Sequence, residues 1–163
     1  MVLNKYEELL QNASENNVRV YESFDLNGDE NATYTIDGLY IDGNIALDKN
    51  LETSREKSCV LAEELGHHHT SVGNIIDINS VSNRKQERQA RLWGYNKMIG
   101  LRGLIRAFEH GCTSKHEIAE YLDVTTEFLN DAIAIYREKY GVCITVDNYI
   151  IYFIPYLAIM EKI

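Results

Sequence analysis

Proline is almost missing from this chain: the one proline among 163 residues is Pro155, near the C-terminus, where it closes a short apolar run that reads as a strand. Cysteine is scarce as well. Cys59, Cys112 and Cys143 are odd in number, far apart and without C-x-x-C spacing. That excludes a disulfide framework and a cysteine-based zinc ribbon, and leaves each as a small buried apolar residue of a reducing compartment. No apolar run approaches the roughly 18 to 20 residues that span a bilayer, so no membrane segment is expected. The opening stretch MVLNKYEELLQNASENN is amphipathic and acidic, without the basic and apolar regions of a secretory signal, and a cytoplasmic location is the expectation. Positive charge is also in short supply. Sixteen Lys and Arg against 25 Asp and Glu give a formal net charge of −9, which opposes direct nucleic-acid contact, because affinity for phosphate backbones depends on clustered cations. The basic concentration at Arg84, Lys85, Arg88 and Arg91 spreads over much of a helix circumference and reads as a solvated face.

What the chain does contain is enough apolar sequence for a core: 45% of its residues are hydrophobic and 25% charged, as in an ordinary globular protein. Leu3, Tyr6, Leu9 and Leu10 recur at helical spacing and predict a first amphipathic helix. VRVYESF and YTIDGLYIDGNIALDKN follow, rich in Tyr and Ile and punctuated by Asp37-Gly38 and Asp42-Gly43, which predicts a small antiparallel sheet. DLNGDENA, from Asp25, imitates a calcium loop but has Glu30 at the sixth position and Ile36 at the twelfth, so it reads as a polar turn. Thr53 or Ser54 caps a helix from about Arg55 to His68, and a polar loop, TSVGNIIDINSVSN, leads to a second helix from about Arg84 to Met98. Another helix runs from about Arg102 to Glu109. SKHEIAEYLDV and TTEFLNDAIAIYREKY then have the length and spacing of a helix-turn-helix, and VCITVDNYIIYFIP reads as a hairpin about Asp147-Asn148. The expected organisation is a core over residues 1–100, and a helix-turn-helix-like region with a C-terminal hairpin, packed on the core, over 101–163.

Chemistry concentrates in CVLAEELGHHHTSVG. Its Glu63-Glu64-Leu65-Gly66-His67 is the zinc-peptidase pattern H-E-x-x-H with glutamate at the first position. With Glu63 as origin, about 100° per residue puts Glu64 at about 100° and His67 at about 40°, so all three share one helix face. Val60 falls at about 60° on the same face; His68 follows at about 140°, and His69 at about 240° points largely away. A catalytic metal needs three protein ligands and an open position, so a second element must contribute. The next helix offers Glu87, with the small residues Ala90 and Gly94 on the same face to let it pack closely. If the helix frays after Gly66, His67 could instead be joined by His68 or His69.

GLYIDGNIALDKNLETSREKSCVLAEELGHHHTSVG resembles the core of the ImmA/IrrE family of zinc metallo-endopeptidases, in which strand residues lead into a helix reading L-A-H-E-L-G-H. QERQARLWGYNKM resembles the same family's E-x-x-A-x-x-F-A segment, with Glu87, Ala90, Trp93 and Gly94 at the matching positions. The likeness covers about residues 36 to 140. It implies an α+β fold with a gluzincin-like core, in which a small antiparallel sheet packs on the E-E-x-x-H helix, followed by a helical region; the C-terminal β-hairpin read from VCITVDNYIIYFIP completes the expected fold. It also implies Glu64 as general base, Glu63, His67 and Glu87 at the metal-ligand positions, and zinc as the metal; His68, at the rim by helix angle, is the alternative ligand that the spacing itself offers. The partner it implies is a protein substrate, a helix-turn-helix repressor of a phage or mobile element.

The departure falls at Glu63, where the family has histidine. A second carboxylate on a divalent ion weakens its Lewis acidity, which predicts weaker peptidase chemistry or greater tolerance for manganese-like metals. Two functions follow: an endopeptidase that cleaves or inactivates a regulatory protein, or a non-catalytic antirepressor or adaptor that sequesters its partner and keeps a structural or vestigial metal. The helix-turn-helix segment does not add DNA binding, because its three basic residues face six acidic ones. The oxyanion-stabilising residue is unassigned by sequence.

Overall fold

The computed structural model describes residues 2–70 and 81–163; the greater part of the predicted polar connection, residues 71–80, lies outside them. The chain is α+β and divides into two compact units, Met1–Gly94 and Tyr95–Ile163.

The first unit begins with α1 (Lys5–Glu15), capped by Asn4, whose side chain accepts from the Glu7 amide while the Glu7 carboxylate accepts from the Asn4 amide. Tyr6, Leu9 and Ala13 form its buried stripe. Strands β1 (Arg19–Phe24), β2 (Gly38–Ile41) and β3 (Asn44–Asp48) make a sheet in the order β1-β3-β2. The predicted hairpin is β2–β3, where Asp42 and Gly43 take φ of 46° and 77°, as a two-residue turn with two left-handed positions requires. β1 joins on the far side of β3 in parallel, a pairing that turn signals do not encode because its connection is long. Asp37-Gly38 is not a turn between strands: Gly38 opens β2. The intervening segment is held by Asp48, 2% exposed, which accepts from the amides of Leu26 and Asn50 and from the Asn27 side chain at 2.9–3.0 Å. Asn27 in turn brackets the backbone of Ile36 through both its amide atoms. The polar turn is therefore organised by a buried carboxylate.

Helix α2 (Ser54–Thr70) starts from a reciprocal cap between Thr53 and Glu56. It buries Ser58, Cys59, Leu61, Ala62, Leu65 and Gly66, packing on α1, β2 and β3. Helix α3 (Val81–Met98) follows.

In the second unit, α4 (Gly100–Glu109), α5 (Lys115–Leu122) and α6 (Thr126–Tyr140) pack in succession. Ser114 and Glu117 cap α5, and Asp123, at φ 55°, turns the chain into α6. Strands β4 (Cys143–Val146) and β5 (Tyr149–Tyr152) form the predicted hairpin about Asp147-Asn148. A third strand, β6 (Ala158–Glu161), extends it; the short run after Pro155 carries no alternation strong enough to announce a strand.

Candidate metal centre

The site is built around α2, and glycine sets how closely its neighbours approach. A Cβ on Gly66 would stand 2.0 Å from the carbonyl oxygen of Ala90, and one on Gly94 would stand 3.1 Å from the carbonyl of Ala62. Gly66, Ala90 and Gly94 thus form a seam that brings the α2 and α3 backbones together, as the small residues at 90 and 94 predict. Gly66 serves that seam and does not end the helix, which is continuous to Thr70. The fraying after Gly66 under which His68 or His69 would join His67 does not occur. On the other flank, a Cβ on Gly38 would stand 2.5 Å from Val60 Cγ1 and 2.9 Å from Glu64, so only glycine lets β2 lie this close to the helix. In helical angle, β2 covers α2 from about 60° to 140° and α3 covers it beyond about 260°. Glu64 thus lies beneath β2 and Glu63 beside α3, with His67 at an angle between them.

Each of these side chains has a defined setting. His67 Nε2 and Glu87 Oε2 meet at 3.2 Å across the helix pair, and Glu87 Oε1 accepts from Arg91 Nε at 3.1 Å. The Glu64 carboxyl is pushed up to about 8, first by burial and then by the charges of Glu63 and Glu87, with the Tyr40 amide donating to it in opposition. Since the Asp48 amide bonds the Asp37 carbonyl at 2.8 Å, residues 37, 39 and 41 exchange the ladder bonds with β3. Gly38 and Tyr40 therefore turn their N–H and C=O groups toward the outer edge of the sheet, where Glu64 receives one of them.

The two further histidines do other work. The Tyr40 hydroxyl and His68 Nδ1 are hydrogen-bonded at 2.9 Å. His69 stacks on Trp93 with ring centroids 4.5 Å apart, and its Nε2 lies 3.4 Å from Asn12 Oδ1. Three consecutive histidines thus join α2 to α3, to β2, and to α3 and α1 together. Trp93, at the aromatic position of the α3 segment, is one of these contacts. Gly38 and Tyr40 are the site residues that sequence reasoning missed; the pattern that could have found them is G-x-Y, two same-face positions of one strand.

The chain matches the family of IrrE N-terminal-like domains, peptidase family M78, over residues 13–133. It belongs to that family. Neither curated proteins nor solved structures gave a match. Membership supports a metallopeptidase-like function with a protein substrate, and implies a divalent metal. No described helix is long and apolar enough to cross a membrane.

The residues present fit such an ion in part. Ligands at 2.0–2.2 Å on a tetrahedral ion stand about 3.3–3.6 Å apart, close to the 3.2 Å between His67 Nε2 and Glu87 Oε2. Glu63 and Glu87 also lie close enough to Glu64 to repel its charge, and a cation would offset this. Among the described residues, however, no three His, Cys, Asp or Glu side chains form a set arranged to hold a metal. His67 and Glu87 are brought together as a donor pair; Glu63 stands beside them on the same helix face without completing a triad.

Proposed function

We propose that this member of the family is a metal-dependent endopeptidase acting on an extended segment of a regulatory protein. The observation that carries this reading is the position of Glu64: a buried carboxyl beside the His67–Glu87 pair, bonded by the outward-facing amide of an edge strand. His67 and Glu87, with Glu63 as third ligand, would hold zinc or a manganese-like ion. When bound, that ion supplies electrophilic activation of the scissile carbonyl and of the attacking water. Glu64 takes the proton from that water and returns it to the leaving amine. A peptide adding to the β2 edge, through the N–H and C=O of Gly38 and the C=O of Tyr40, would lie with its backbone alongside Glu64, which takes the Tyr40 N–H. The target we assign is a repressor of the helix-turn-helix type from a phage or mobile element, in a cytoplasmic setting, on the strength of the family resemblance.

Glu64→Gln is expected to retain the ion, measured by elemental analysis, and to lose cleavage of the partner. Equal cleavage by variant and wild type would refute the assignment.

The second reading is an antirepressor or adaptor that sequesters its partner. It is favoured by Glu63 in place of a histidine and by the incomplete donor set among the described residues. Recovery of wild-type protein in a stable complex with an intact partner, without fragments over time, would select it.

A further inference from the structure

Two side chains of β2 point away from the candidate metal ligands. Gly38 and Tyr40 face α2, since a Cβ on Gly38 would meet Val60 and Glu64 and the Tyr40 hydroxyl meets His68. Leu39 and Ile41 therefore stand on the opposite face of the sheet, where they are 41% and 57% exposed. Leu39 lies opposite Ala46, and Ala46 opposite Tyr21, which is also exposed. This apolar row crosses the whole sheet and stops at its β2 edge.

A strand added at that edge fixes what comes next in the row. The backbone groups that β2 turns outward belong to Gly38 and Tyr40, so in antiparallel pairing, the more stable of the two arrangements, these residues face the hydrogen-bonded partners. Leu39 and Ile41 then face the partners that exchange no bonds, whose Cα atoms lie at about 4.5 Å and whose side chains meet most closely. The ladder also has one gap. The antiparallel partner of Tyr40 gives its N–H to the Tyr40 carbonyl, but its own carbonyl finds the Tyr40 N–H already donated to Glu64. Turned toward β2 and left without a donor, that carbonyl lies beside the Glu64 side chain.

We propose that the segment bound at β2 carries apolar side chains at the two alternate positions facing Ile41 and Leu39, and is cut immediately before the residue facing Leu39. The inference rests on the reading of β2 as the edge to which the substrate adds, and names that substrate's pattern, apolar-x-apolar. Apolar partners take Leu39 and Ile41 out of water as cross-strand pairs, which polar partners do not. The middle side chain turns toward α2, where Glu63, Glu64 and Glu87 disfavour an acidic residue. Hydrolysis there consumes one water: its hydroxyl joins the carbonyl carbon of the residue facing Tyr40, the C–N bond to the next residue breaks, and its proton passes by way of Glu64 to the departing amine.

The test separates binding from turnover. In a Glu64→Gln background, whose glutamine keeps the acceptor for the Tyr40 amide, fluorescein-labelled peptides carrying valine-glutamine-valine or threonine-glutamine-threonine within one polar sequence are compared by anisotropy. Both residues are β-branched and suit a strand. The valine peptide should bind roughly three- to ten-fold more tightly. Leu39→Lys with Ile41→Lys should abolish that preference and confer one for glutamate-glutamine-glutamate that weakens as salt rises, with an unchanged urea midpoint showing that the fold is intact. Wild type supplied with zinc or manganese should cut the valine peptide between glutamine and the second valine, read by mass spectrometry. Equal binding of the valine and threonine peptides, including none by either, indifference to the two lysines, or a cut at another bond would overturn the proposal. Valine-dependent binding with no cut would uphold the side-chain pattern and count against both the cut site and the peptidase reading. Equally efficient cutting of both peptides would sink the pattern and leave the peptidase reading standing.

Discussion

Replacing Glu64 by glutamine should stabilise the metal-free protein, by an amount that grows with pH. In the folded chain the Glu64 carboxyl is raised from 4.5 to about 8, mainly by burial and secondarily by Glu63 and Glu87. Between those values the folded chain holds a proton that the unfolded chain has released. Stability contributed by this group is therefore full below about pH 4.5 and is lost as pH rises through about 8. At about 1.36 kcal/mol per pH unit, the displacement sets a ceiling of about 5 kcal/mol. Relaxation around the carboxylate should bring the observed figure to a few kcal/mol. Glutamine keeps the acceptor for the Tyr40 amide and carries no charge, so the variant should show no such slope. The assay is urea denaturation of wild type and Glu64→Gln in the presence of a chelator, at several values from about pH 5 to pH 8. The variant's advantage should be small at the acidic end and largest at the basic end. Returning a divalent cation should flatten the wild-type curve, because the ion offsets the three carboxylates. An advantage that does not change with pH would refute the argument, since it would show that Glu64 is not held protonated by its surroundings.

Two further outcomes follow from packing and hydrogen bonding. Gly66→Ala places a methyl 2.0 Å from the Ala90 carbonyl oxygen, which the rigid helix pair can relieve only by separating; a loss of about 3 kcal/mol or more in unfolding free energy, read by urea denaturation, is expected, together with weaker cation binding. Asp48→Asn should cost about 1–3 kcal/mol and remove part of the acid sensitivity of folding. Burial raises the Asp48 pKa, but the hydrogen bonds from Asn50, Leu26 and Asn27 outweigh it and hold it below 3.8. The stabilisation it provides is present above the unfolded pKa and lost as pH falls through the lower folded one, a change that acid titration of both proteins reads directly.

Local signals in the sequence located most of the elements. The E-E-x-x-H helix, its Thr53 cap, the Asp42-Gly43 hairpin, the paired α5 and α6 and the β4–β5 hairpin all rest on spacing, caps and turns that act over a few residues. The same locality placed Glu63, Glu64 and His67 on one face, and the small residues at 90 and 94 announced a close helix pair. Geometry of that kind is fixed by the period of a helix and by which residues accept a left-handed φ, so one strand of text suffices to read it.

Tertiary structure decided what depends on neighbours distant in the chain. The parallel pairing of β1 with β3 is a long-range choice that no turn encodes. The outward amide of Tyr40 follows from the register of β2 on β3, and its meeting with Glu64 follows from Gly38 admitting the helix. The histidines show the division most clearly. The sequence presents three identical side chains in a row, and 100° of helical rotation at each step sends them to different partners: His67 to Glu87, His68 to Tyr40, and His69 to Trp93 and Asn12.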